Sequence, residues 1–224
     1  MNSEKNAQAS LAMKEQAAKA ALAYVREDTI IGIGTGSTVN LFIEHLAQIK
    51  HRIDACVPSS KATEARLRAL KIPVIGLNSA SEIALYVDGA DEVNHRREMI
   101  KGGGGALLGE KLIATVAKEF ICIVDAPKVV NRLGVFPLAI EVIPEARSYV
   151  AREVVKLGGD PVYREGFVTD HGNCILDVYH LEILNAVILE DLLKLIPGVV
   201  ESGLFAKRLA DKVIVGKLEG VEVF

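Results

Sequence analysis

The spacing of hydrophobic residues alternates along the first part of the chain between a helical and an extended pattern. Apolar positions recur near one helical face over about 11–26, and the apolar run 29–33 that follows predicts a buried strand. Helical spacing then returns over about 39–46. The same patterns predict strands at about 53–57, 73–75, 84–87 and 120–124 and helices at about 59–70 and 107–118. Strands that alternate with helices indicate an α/β fold with an open, mostly parallel, Rossmann-like sheet.

The pattern changes after Gly134. Apolar residues then occupy every second position over 138–142, which predicts a strand with one polar face. The elements expected next are a helix at about 145–157, a hairpin at 162–179 that turns at 170–173, a helix at 188–196 and a strand at 199–205. This β-α-β-β-α-β order predicts a smaller ferredoxin-like α+β domain.

Two short strands at 212–215 and 221–224 are expected to return to the first sheet. The predicted domains are therefore a Rossmann-like catalytic domain of residues 1–134 and 206–224, and a smaller ferredoxin-like domain of residues 135–205.

Composition narrows the class of protein. Half of the 224 residues are hydrophobic, which is enough for one large domain or two modest ones. A net charge of −3, aromatic residues at 5% and no tryptophan argue against a nucleic-acid partner. No apolar stretch approaches the length of a membrane span and the polar N-terminus lacks a signal core, so we expect no membrane partner and a cytoplasmic location. Cys56, Cys122 and Cys174 lie far apart in apolar runs, which predicts buried free thiols.

The first predicted strand runs into a turn that is rich in glycine and hydroxyl groups. Thr35, Gly36, Ser37 and Thr38 stand between that strand and a helix. A strand, a turn of this composition and a helix in that order point amide and hydroxyl groups at an anion. The alternative is a plain turn in which Ser37 or Thr38 caps the helix.

Two nucleotide-binding patterns nearly match this sequence and fail. The pattern that begins at Gly32 has Ser37 where the dinucleotide fingerprint requires its third glycine. Gly104 and Gly109 have the spacing of a P-loop, but Glu110 follows where that motif requires lysine. Neither NAD nor ATP is favoured, and no cofactor is predicted.

A run of four glycines organises the rest of the chain. The loop Gly102–Gly105 follows Lys101 and precedes the predicted helix that carries Glu110. Glycines expose amide N–H groups with no side chain in the way, so a loop of this kind before a helix can hold an oxyanion or a phosphate. The alternative is a flexible turn before an ordinary helix, with Glu110 favoured by the positive end of the helix dipole.

Polar groups also follow other predicted strands. Asp88 and Asp91 follow the strand at 84–87, and Lys128 follows the strand at 120–124. Because the C-terminal ends of parallel strands lie at one edge of a sheet, we expect these groups, the turn at 35–38 and the glycine loop to converge. The alternatives are an Asx turn for the aspartates and a solvated loop lysine for Lys128.

These groups suit a small phosphorylated sugar. Glycine-rich turns and lysines would hold the phosphate, and a carboxylate could move a proton between adjacent carbons. A lysine and amide groups could stabilise the enediolate oxygen that develops. The five histidines show no spacing typical of a metal site, so no metal is predicted.

Several of these motifs, in this order, resemble the type A ribose-5-phosphate isomerase family. The resemblance covers the chain from about residue 14 to residue 215. It is carried by the segments Gly32–Thr38 (GIGTGST), Tyr86–Glu92 (YVDGADE), Met99–Gly105 (MIKGGGG), Glu110–Lys111 (EK), Ile123–Lys128 (IVDAPK) and Gly134–Leu138 (GVFPL).

The resemblance implies the interconversion of D-ribose 5-phosphate and D-ribulose 5-phosphate in the pentose phosphate pathway. It implies that Glu110 is the general base between C1 and C2, and that Asp88, Asp91 and Lys101 contact the sugar oxygens and stabilise the enediolate. It implies no metal and a homodimer or homotetramer. The resemblance also implies that substrate binding is completed by Thr35, Gly36, Ser37, Thr38, Gly89, Ala90, Gly102, Gly103, Gly104, Lys128 and Lys14. The phosphate is expected near the small-domain side and the two lysines of this set.

Two other functions remain open at this point. A sugar-phosphate sensor on a similar fold usually carries a DNA-binding helix-turn-helix, whereas here one helix precedes the first strand, no basic recognition segment is present, and a sensor would have no need for Glu110. A CoA transferase-like enzyme also uses a glutamate near a glycine-rich loop, but ping-pong kinetics through a thioester would distinguish it.

Overall fold

The computed structural model describes residues 2–224, with side chains from residue 6 onward, and the chain divides into two compact units. The first unit contains the residues up to Gly89, Leu112–Val129 and Ala210–Phe224. The second unit contains Ala90–Lys111 and Val130–Leu209. This division differs from the predicted boundaries at 134 and 206, because residues 90–111, 130–134 and 206–209 group with the smaller unit.

The helices lie close to where the hydrophobic spacing predicts them. Ser60 caps the third helix by accepting a hydrogen bond from the amide of Thr63, and Asn185 caps the sixth through the amide of Ile188. The helices are α1 (Asn2–Ala21), α2 (Ser37–Leu46), α3 (Lys61–Ala69), α4 (Leu107–Val116), α5 (Arg147–Lys156) and α6 (Ala186–Lys194). None of the described helices is both long and apolar enough to cross a membrane.

The strands comprise all of the predicted ones except 73–75, together with three short segments that the sequence analysis did not separate. In chain order they are β1 (Ile30–Ile33), β2 (Ala55–Pro58), β3 (Ile83–Asp88), β4 (Glu92–Val93), β5 (Met99–Ile100), β6 (Ala117–Asp125), β7 (Leu138–Val142), β8 (Asp160–Tyr163), β9 (Cys174–Tyr179), β10 (Val199–Ser202), β11 (Leu204–Phe205), β12 (Lys212–Gly216) and β13 (Val221–Val223).

The first unit is built on a six-stranded sheet in the order β13-β12-β6-β3-β1-β2. Its strands pair in parallel, except that β13 pairs antiparallel with β12. The core packs Ile31 and Ile33 of β1 against Phe42 and Ile43 of α2, all of them fully buried. This arrangement confirms the Rossmann-like sheet and the return of 212–215 and 221–224 to it. The chain leaves β1 toward β2 on one side and reaches β3 on the other, so a topological switch point lies between β1 and β3.

The second unit contains the ferredoxin-like arrangement. Its four-stranded antiparallel sheet has the order β10-β7-β9-β8, and α5 and α6 occupy the two helical positions of the β-α-β-β-α-β order. Leu138, Ile140 and Val142 project into an apolar core with Val150 and Leu193. The alternating pattern at 138–142 therefore predicted the buried face correctly, although Ala139 and Glu141 on the other face are also fully buried.

A separate three-stranded sheet, in the order β11-β5-β4, was not predicted. It ties 92–93 and 99–100 to 204–205, and this pairing explains why the segment that carries the glycine loop groups with the second unit. The predicted strand at 199–205 is consequently split between two sheets at Gly203, where an added Cβ would lie 2.0 Å from the carbonyl oxygen of Lys101.

Two other predicted strands were wrong in extent. The segment 73–75 makes only an isolated parallel bridge from Val74 to Cys56. The first strand of the hairpin runs over Asp160–Tyr163 rather than 162–168, because the chain turns away at Arg164 and returns through a ten-residue connection. All three cysteines are free and buried, as predicted.

Candidate active site

The carboxyl edge of the parallel sheet in the first unit carries Asp88 at the end of β3. Its side chain is fully buried, and its Oδ1 accepts hydrogen bonds from the amides of Thr35 (3.1 Å) and Gly89 (2.7 Å). Its Oδ2 accepts the hydroxyl proton of Tyr86. Asp88 therefore joins the ends of β1 and β3 across the switch point, where open α/β sheets bind their ligands.

Gly34 allows this close approach. A Cβ added at Gly34 would lie 2.0 Å from both Cγ and Oδ1 of Asp88, so no larger residue fits while that carboxylate keeps its place. The amide of Gly34 donates to the carbonyl of Val87, and this backbone hydrogen bond holds the ends of β1 and β3 together.

A cluster of hydroxyl groups holds the turn after β1. Thr35 Oγ1 lies 2.8 Å from the hydroxyls of both Ser59 and Ser60, and 3.1 Å from that of Thr63. Thr63 in turn donates to the carbonyl of Gly34 at 2.7 Å. The Thr35 side chain, predicted to bind substrate, is therefore engaged in holding its own turn, and the amide groups of that turn remain the more direct contact for an anion.

The start of α2 follows directly. Gly36, with φ of 135°, is the N-cap residue, so the alternative in which Ser37 or Thr38 caps this helix was wrong. Ser37 is exposed and accepts a hydrogen bond from Lys14 Nζ at 3.1 Å, whereas Thr38 is buried. The Lys14 ammonium lies beside the positive end of α2, a helix of ten residues. Both would attract an anion to the start of this helix.

Lys128 lies in a short 3₁₀ turn, Ala126–Lys128, that follows β6, and its side chain is partly buried. The preceding Asp125 is buried and accepts a hydrogen bond from the hydroxyl of Ser10 at 2.9 Å. Since β6 neighbours β3 in parallel, Lys128 and Asp88 follow strand ends at the same edge. The turns that follow β1, β3 and β6 therefore lie at one edge of the parallel sheet, as predicted.

The glycine loop is placed differently from the prediction. It follows β5, which belongs to the three-stranded antiparallel sheet and not to the parallel one. Its position at a parallel strand end was therefore wrong, because the short pairing of 99–100 with 204–205 cannot be seen in the local pattern.

Within the second unit, the loop brings Lys101 and Glu110 together. Lys101 Nζ lies 3.1 Å from Glu110 Oε2, and the side chains are 3% and 6% exposed. Glu110 stands in the first turn of α4, where the helix dipole favours a negative charge. An ammonium and a carboxylate so far removed from water interact strongly, and any ligand that reaches them meets two charges in a low-dielectric environment.

Lys101 is held at its backbone by a hydrogen bond and at its ammonium by an aromatic ring. Its amide donates to the carbonyl of Gly203 at 2.8 Å, and the amide of Gly203 donates to the carbonyl of Ala139 at 2.7 Å. Its ammonium lies 5.5 Å from the centroid of the Phe205 ring, within the range of a cation–π interaction.

The loop itself is shaped around Asp91. The amide of Gly103 donates to Asp91 Oδ2 at 2.8 Å, and Gly102 has φ of 107°. A Cβ at Gly102 would lie 2.9 Å from side-chain atoms of both Ala139 and Leu107, so this glycine is required by space as well as by conformation. Gly103 and Gly104 are exposed. The second unit thus joins Asp91, Lys101, the glycine loop and Glu110, and Ala90 begins its first segment.

The sequence analysis missed the surroundings of Lys111. Its ammonium contacts Glu190 Oε1 at 2.8 Å, Glu201 Oε1 at 3.0 Å and the carbonyl of Leu204 at 2.7 Å. Burial of Glu201 raises the pKa of its carboxyl, but Lys111 and Lys194 outweigh that effect, so this pKa lies below its ordinary value. These partners come from 79 to 93 residues away, so no local signal could have found them.

Tyr86 and Arg164 were also missed. Tyr86 stands two residues before Asp88 on the same strand face, so the two-residue period of a strand could have indicated its contact. Arg164 donates to the carbonyls of Gly102 and Gly103 from 62 and 61 residues away, and nothing near it in the sequence suggests this.

The chemistry of these groups lies in the movement of protons and the binding of anions. Among the described residues, no group of three or more His, Cys, Asp or Glu side chains is arranged to hold a metal ion. A buried carboxylate that faces an ammonium can accept a proton and can stabilise a developing oxyanion. A Rossmann-like sheet together with buried charged groups of this kind is typical of an α/β enzyme.

Comparisons with known proteins agree. The family model for ribose 5-phosphate isomerase A (phosphoriboisomerase A) matches residues 55–220. A ribose-5-phosphate isomerase A of Legionella pneumophila (strain Corby) is 68% identical over 209 residues, which is 93% of this chain and 97% of the relative. The crystal structure of the Neisseria gonorrhoeae ribose 5 phosphate isomerase A is 47% identical, with a TM-score of 0.93 and 95% of each chain covered.

A D-ribose-5-phosphate isomerase solved in complex with phospho-erythronic acid is 39% identical, has a TM-score of 0.91 and is matched over 95% of this chain and 97% of that one. The chain therefore belongs to the ribose 5-phosphate isomerase A family, and it is an isomerase. A catalysis-free sensor and a CoA transferase-like enzyme are set aside by this assignment.

Proposed function

We propose that this protein interconverts D-ribose 5-phosphate and D-ribulose 5-phosphate as part of the pentose phosphate pathway. The observation that carries the proposal is the buried pair of Lys101 and Glu110 beside a glycine loop, in a chain of this family. The relative that is 68% identical bears the name of this isomerase, and a solved relative binds a phosphorylated sugar acid. A sugar acid of that kind has a planar carboxylate at one end and a phosphate at the other, which resembles an enediolate of a pentose phosphate.

Glu110 is the general base. Its carboxylate removes the proton from C2 of the aldose and returns it to C1, and a cis-enediolate forms between the two steps. The short distance to the Lys101 ammonium supports this role, because the ammonium can balance negative charge that passes from the carboxylate to the enediolate oxygen. The electron pair of the broken C–H bond stays in the enediolate, the C2 proton passes through the carboxylate to C1, and the hydroxyl proton on O2 moves to O1, so no redox partner is needed.

Asp88, Asp91 and Lys101 contact the sugar oxygens. Hydrogen bonds from the amides of Thr35 and Gly89 and from the hydroxyl of Tyr86 hold the Asp88 carboxylate in a fixed orientation. Asp91 is held through the amide of Gly103. A fixed carboxylate binds a hydroxyl with little loss of conformational entropy, which is the benefit of preorganisation.

The phosphate binds beside the start of α2. Lys14 and Ser37 supply an ammonium and a hydroxyl there, and the amide groups at the helix start point toward the same anion. The residues that complete substrate binding are Thr35, Gly36, Thr38, Gly89, Ala90, Gly102, Gly103, Gly104 and Lys128.

The isomerase reaction in D₂O tests the proposal. Purified protein and ribose 5-phosphate should give the ketose, followed by its absorbance, and the product should carry solvent deuterium at C1 because an enediolate is protonated from an exchangeable group. Deuterium at C1 would exclude a direct hydride shift, whereas ketose without deuterium would result both from a hydride shift and from an unexchanged proton that Glu110 returns to C1. No ketose at all would reject the assigned substrate.

The assembly is a homodimer or a homotetramer. The second unit supports this with exposed apolar side chains at and near α6, for example Leu184, Ile188 and Leu195, which are 75%, 56% and 78% exposed. Light scattering at micromolar protein concentration measures the mass, and a mass of one chain would contradict the proposal.

A further inference from the structure

Arg164 lies just after β8 and reaches the glycine loop within the second unit. Its guanidinium donates to the carbonyl of Gly102 through Nη1 and Nη2, both at 3.2 Å, and to the carbonyl of Gly103 through Nη1 at 3.3 Å. The loop carbonyls on that side are therefore bound by a single charged group.

Asp177 on β9 orients this guanidinium. Its two carboxylate oxygens accept from Nε at 2.8 Å and from Nη2 at 2.5 Å, the two-point arrangement in which arginine and a carboxylate match each other's geometry. The two side chains are only 19% and 16% exposed. Such a pair is held more firmly than a surface ion pair, so the guanidinium is a rigid part of the hairpin.

The bound peptide links Arg164 to a proposed substrate-binding residue. Its carbonyl, that of Gly102, accepts from Arg164, and its N–H, that of Gly103, donates to Asp91 at 2.8 Å. A hydrogen bond to a peptide carbonyl polarises the N–H at the other end, so the two bonds strengthen each other. Arg164 therefore fixes the peptide plane, and through this peptide it acts on the carboxylate of Asp91.

Phe167 adds a second contact on the same side of the loop. Its ring lies 5.3 Å from the Arg164 guanidinium, and a Cβ at Gly105 would lie 2.2 Å from it. The glycine loop is thus closed against the connection between β8 and β9 at both of its ends.

We propose that Arg164 is a positioning residue for the isomerase reaction, and that it acts by fixing the Gly102–Gly103 peptide so that Asp91 is correctly placed beside the substrate. The inference rests on the proposed function, in which Asp91 and Lys101 contact the sugar. A guanidinium that only stabilised the hairpin would affect unfolding and would not act through Asp91.

The first test compares Arg164→Gln with Arg132→Gln. Arg132 forms a surface ion pair with Glu182 in the same unit and is the matched control. Arg164→Gln should lower kcat/KM by roughly 10- to 100-fold, because small displacements of positioning groups are amplified in the rate, while Arg132→Gln should leave it unchanged. Arg164→Lys keeps the charge but not the fork, so it should recover only part of the loss.

A double-mutant cycle with Asp91→Asn separates positioning from stability. If Arg164 acts through Asp91, the double variant should be no slower than Asp91→Asn alone, whereas independent effects multiply. If Arg164→Gln alone unfolds, the double variant Arg164→Gln/Asp177→Asn replaces it in the cycle, because this variant leaves no carboxylate without its arginine. Hydrogen exchange should also show faster exchange of the Gly103 amide in the Arg164 variant.

Several results would overturn the inference. A kcat/KM for Arg164→Gln within about twofold of the parent, multiplicative effects in the cycle, or unchanged exchange at Gly103 would each reject it while leaving the proposed function intact. If Asp91→Asn and Lys101→Ala both kept full activity, the failure would lie in the proposed function itself, and the inference would fall with it.

Discussion

Lys101 and Glu110, nine residues apart in the sequence, form a buried ion pair with 3.1 Å between Nζ and Oε2. The pair depends on two features that meet in the second unit. The backbone of Lys101 is tied to Gly203, and Glu110 projects from the first turn of α4. Buried ion pairs add little stability by themselves, which favours a chemical reason for keeping this one.

Glu110→Gln tests the general base. An amide has nearly the shape of a carboxylate but cannot accept the proton, so kcat should fall by roughly 10² or more while ribose 5-phosphate still binds. Steady-state kinetics and calorimetric titration measure the two effects, with thermal unfolding as the control for the fold. Near-normal turnover would remove Glu110 as the base.

Lys101→Ala tests the stabilisation of the enediolate. The expected loss in kcat/KM is about 2–4 kcal/mol of transition-state stabilisation. The variant should also unfold more easily, because it leaves the buried Glu110 carboxylate without its ammonium. The double variant Lys101→Ala/Glu110→Gln is the control, since it should recover stability but not activity. An unchanged kcat/KM in the single variant would reject the role of Lys101.

Gly34→Ala tests the close contact between the end of β1 and the Asp88 side chain at the end of β3. The added Cβ would lie 2.0 Å from the Asp88 carboxylate, which is fully buried, so we expect the free energy of unfolding to fall by about 1–3 kcal/mol. Gly76→Ala is the control, because nothing lies within 4 Å of its added Cβ and its φ of −76° suits alanine. Urea unfolding measures the stability of both variants. If Gly34→Ala were as stable as Gly76→Ala, Asp88 could move at no cost.

Glu201→Gln tests the charge network around Lys111. Because the pKa of Glu201 is lower in the folded state than its ordinary 4.5, its contribution to stability is fully present above pH 4.5 and is lost as pH falls through the folded-state pKa. The variant should be less stable than the parent at pH 7, and the difference should shrink as the pH falls below about 4.5. Unfolding free energies from pH 3 to 7 measure it.

Glu182→Gln is the matched control for this experiment. Glu182 forms a surface ion pair with Arg132 and is 67% exposed, so its loss should change the unfolding free energy at pH 7 very little. A difference between parent and Glu201→Gln that stayed constant with pH would mean that Glu201 acts through packing and not through its charge.

Prolonged dialysis against EDTA tests the metal-free reaction. The proposed steps are assigned to the Glu110 carboxylate, the Lys101 ammonium and the amide groups of the loop, so kcat and KM should both be unchanged. Strong inhibition that is reversed by one divalent cation, and not by others, would contradict this assignment of the steps.

The local sequence predicted most of the fold because its signals act over short distances. Apolar residues at every second position predicted β7, and helical spacing over 39–46 predicted α2. The order of these elements then indicated both the Rossmann-like and the ferredoxin-like arrangement. The motifs of the site, such as the glycine run before Glu110, were equally local.

The sequence by itself therefore determined the order of the elements, the buried faces and the segments that carry the candidate site. Only the tertiary structure decided that 99–100 pairs with 204–205, that Arg164 holds the glycine loop, and that hydroxyls from two segments hold Thr35. The physical reason is distance along the chain. Periodicity and capping depend on residues within a few positions of each other, whereas these contacts join residues 24 to 106 positions apart and form only where the packing of whole elements brings them together.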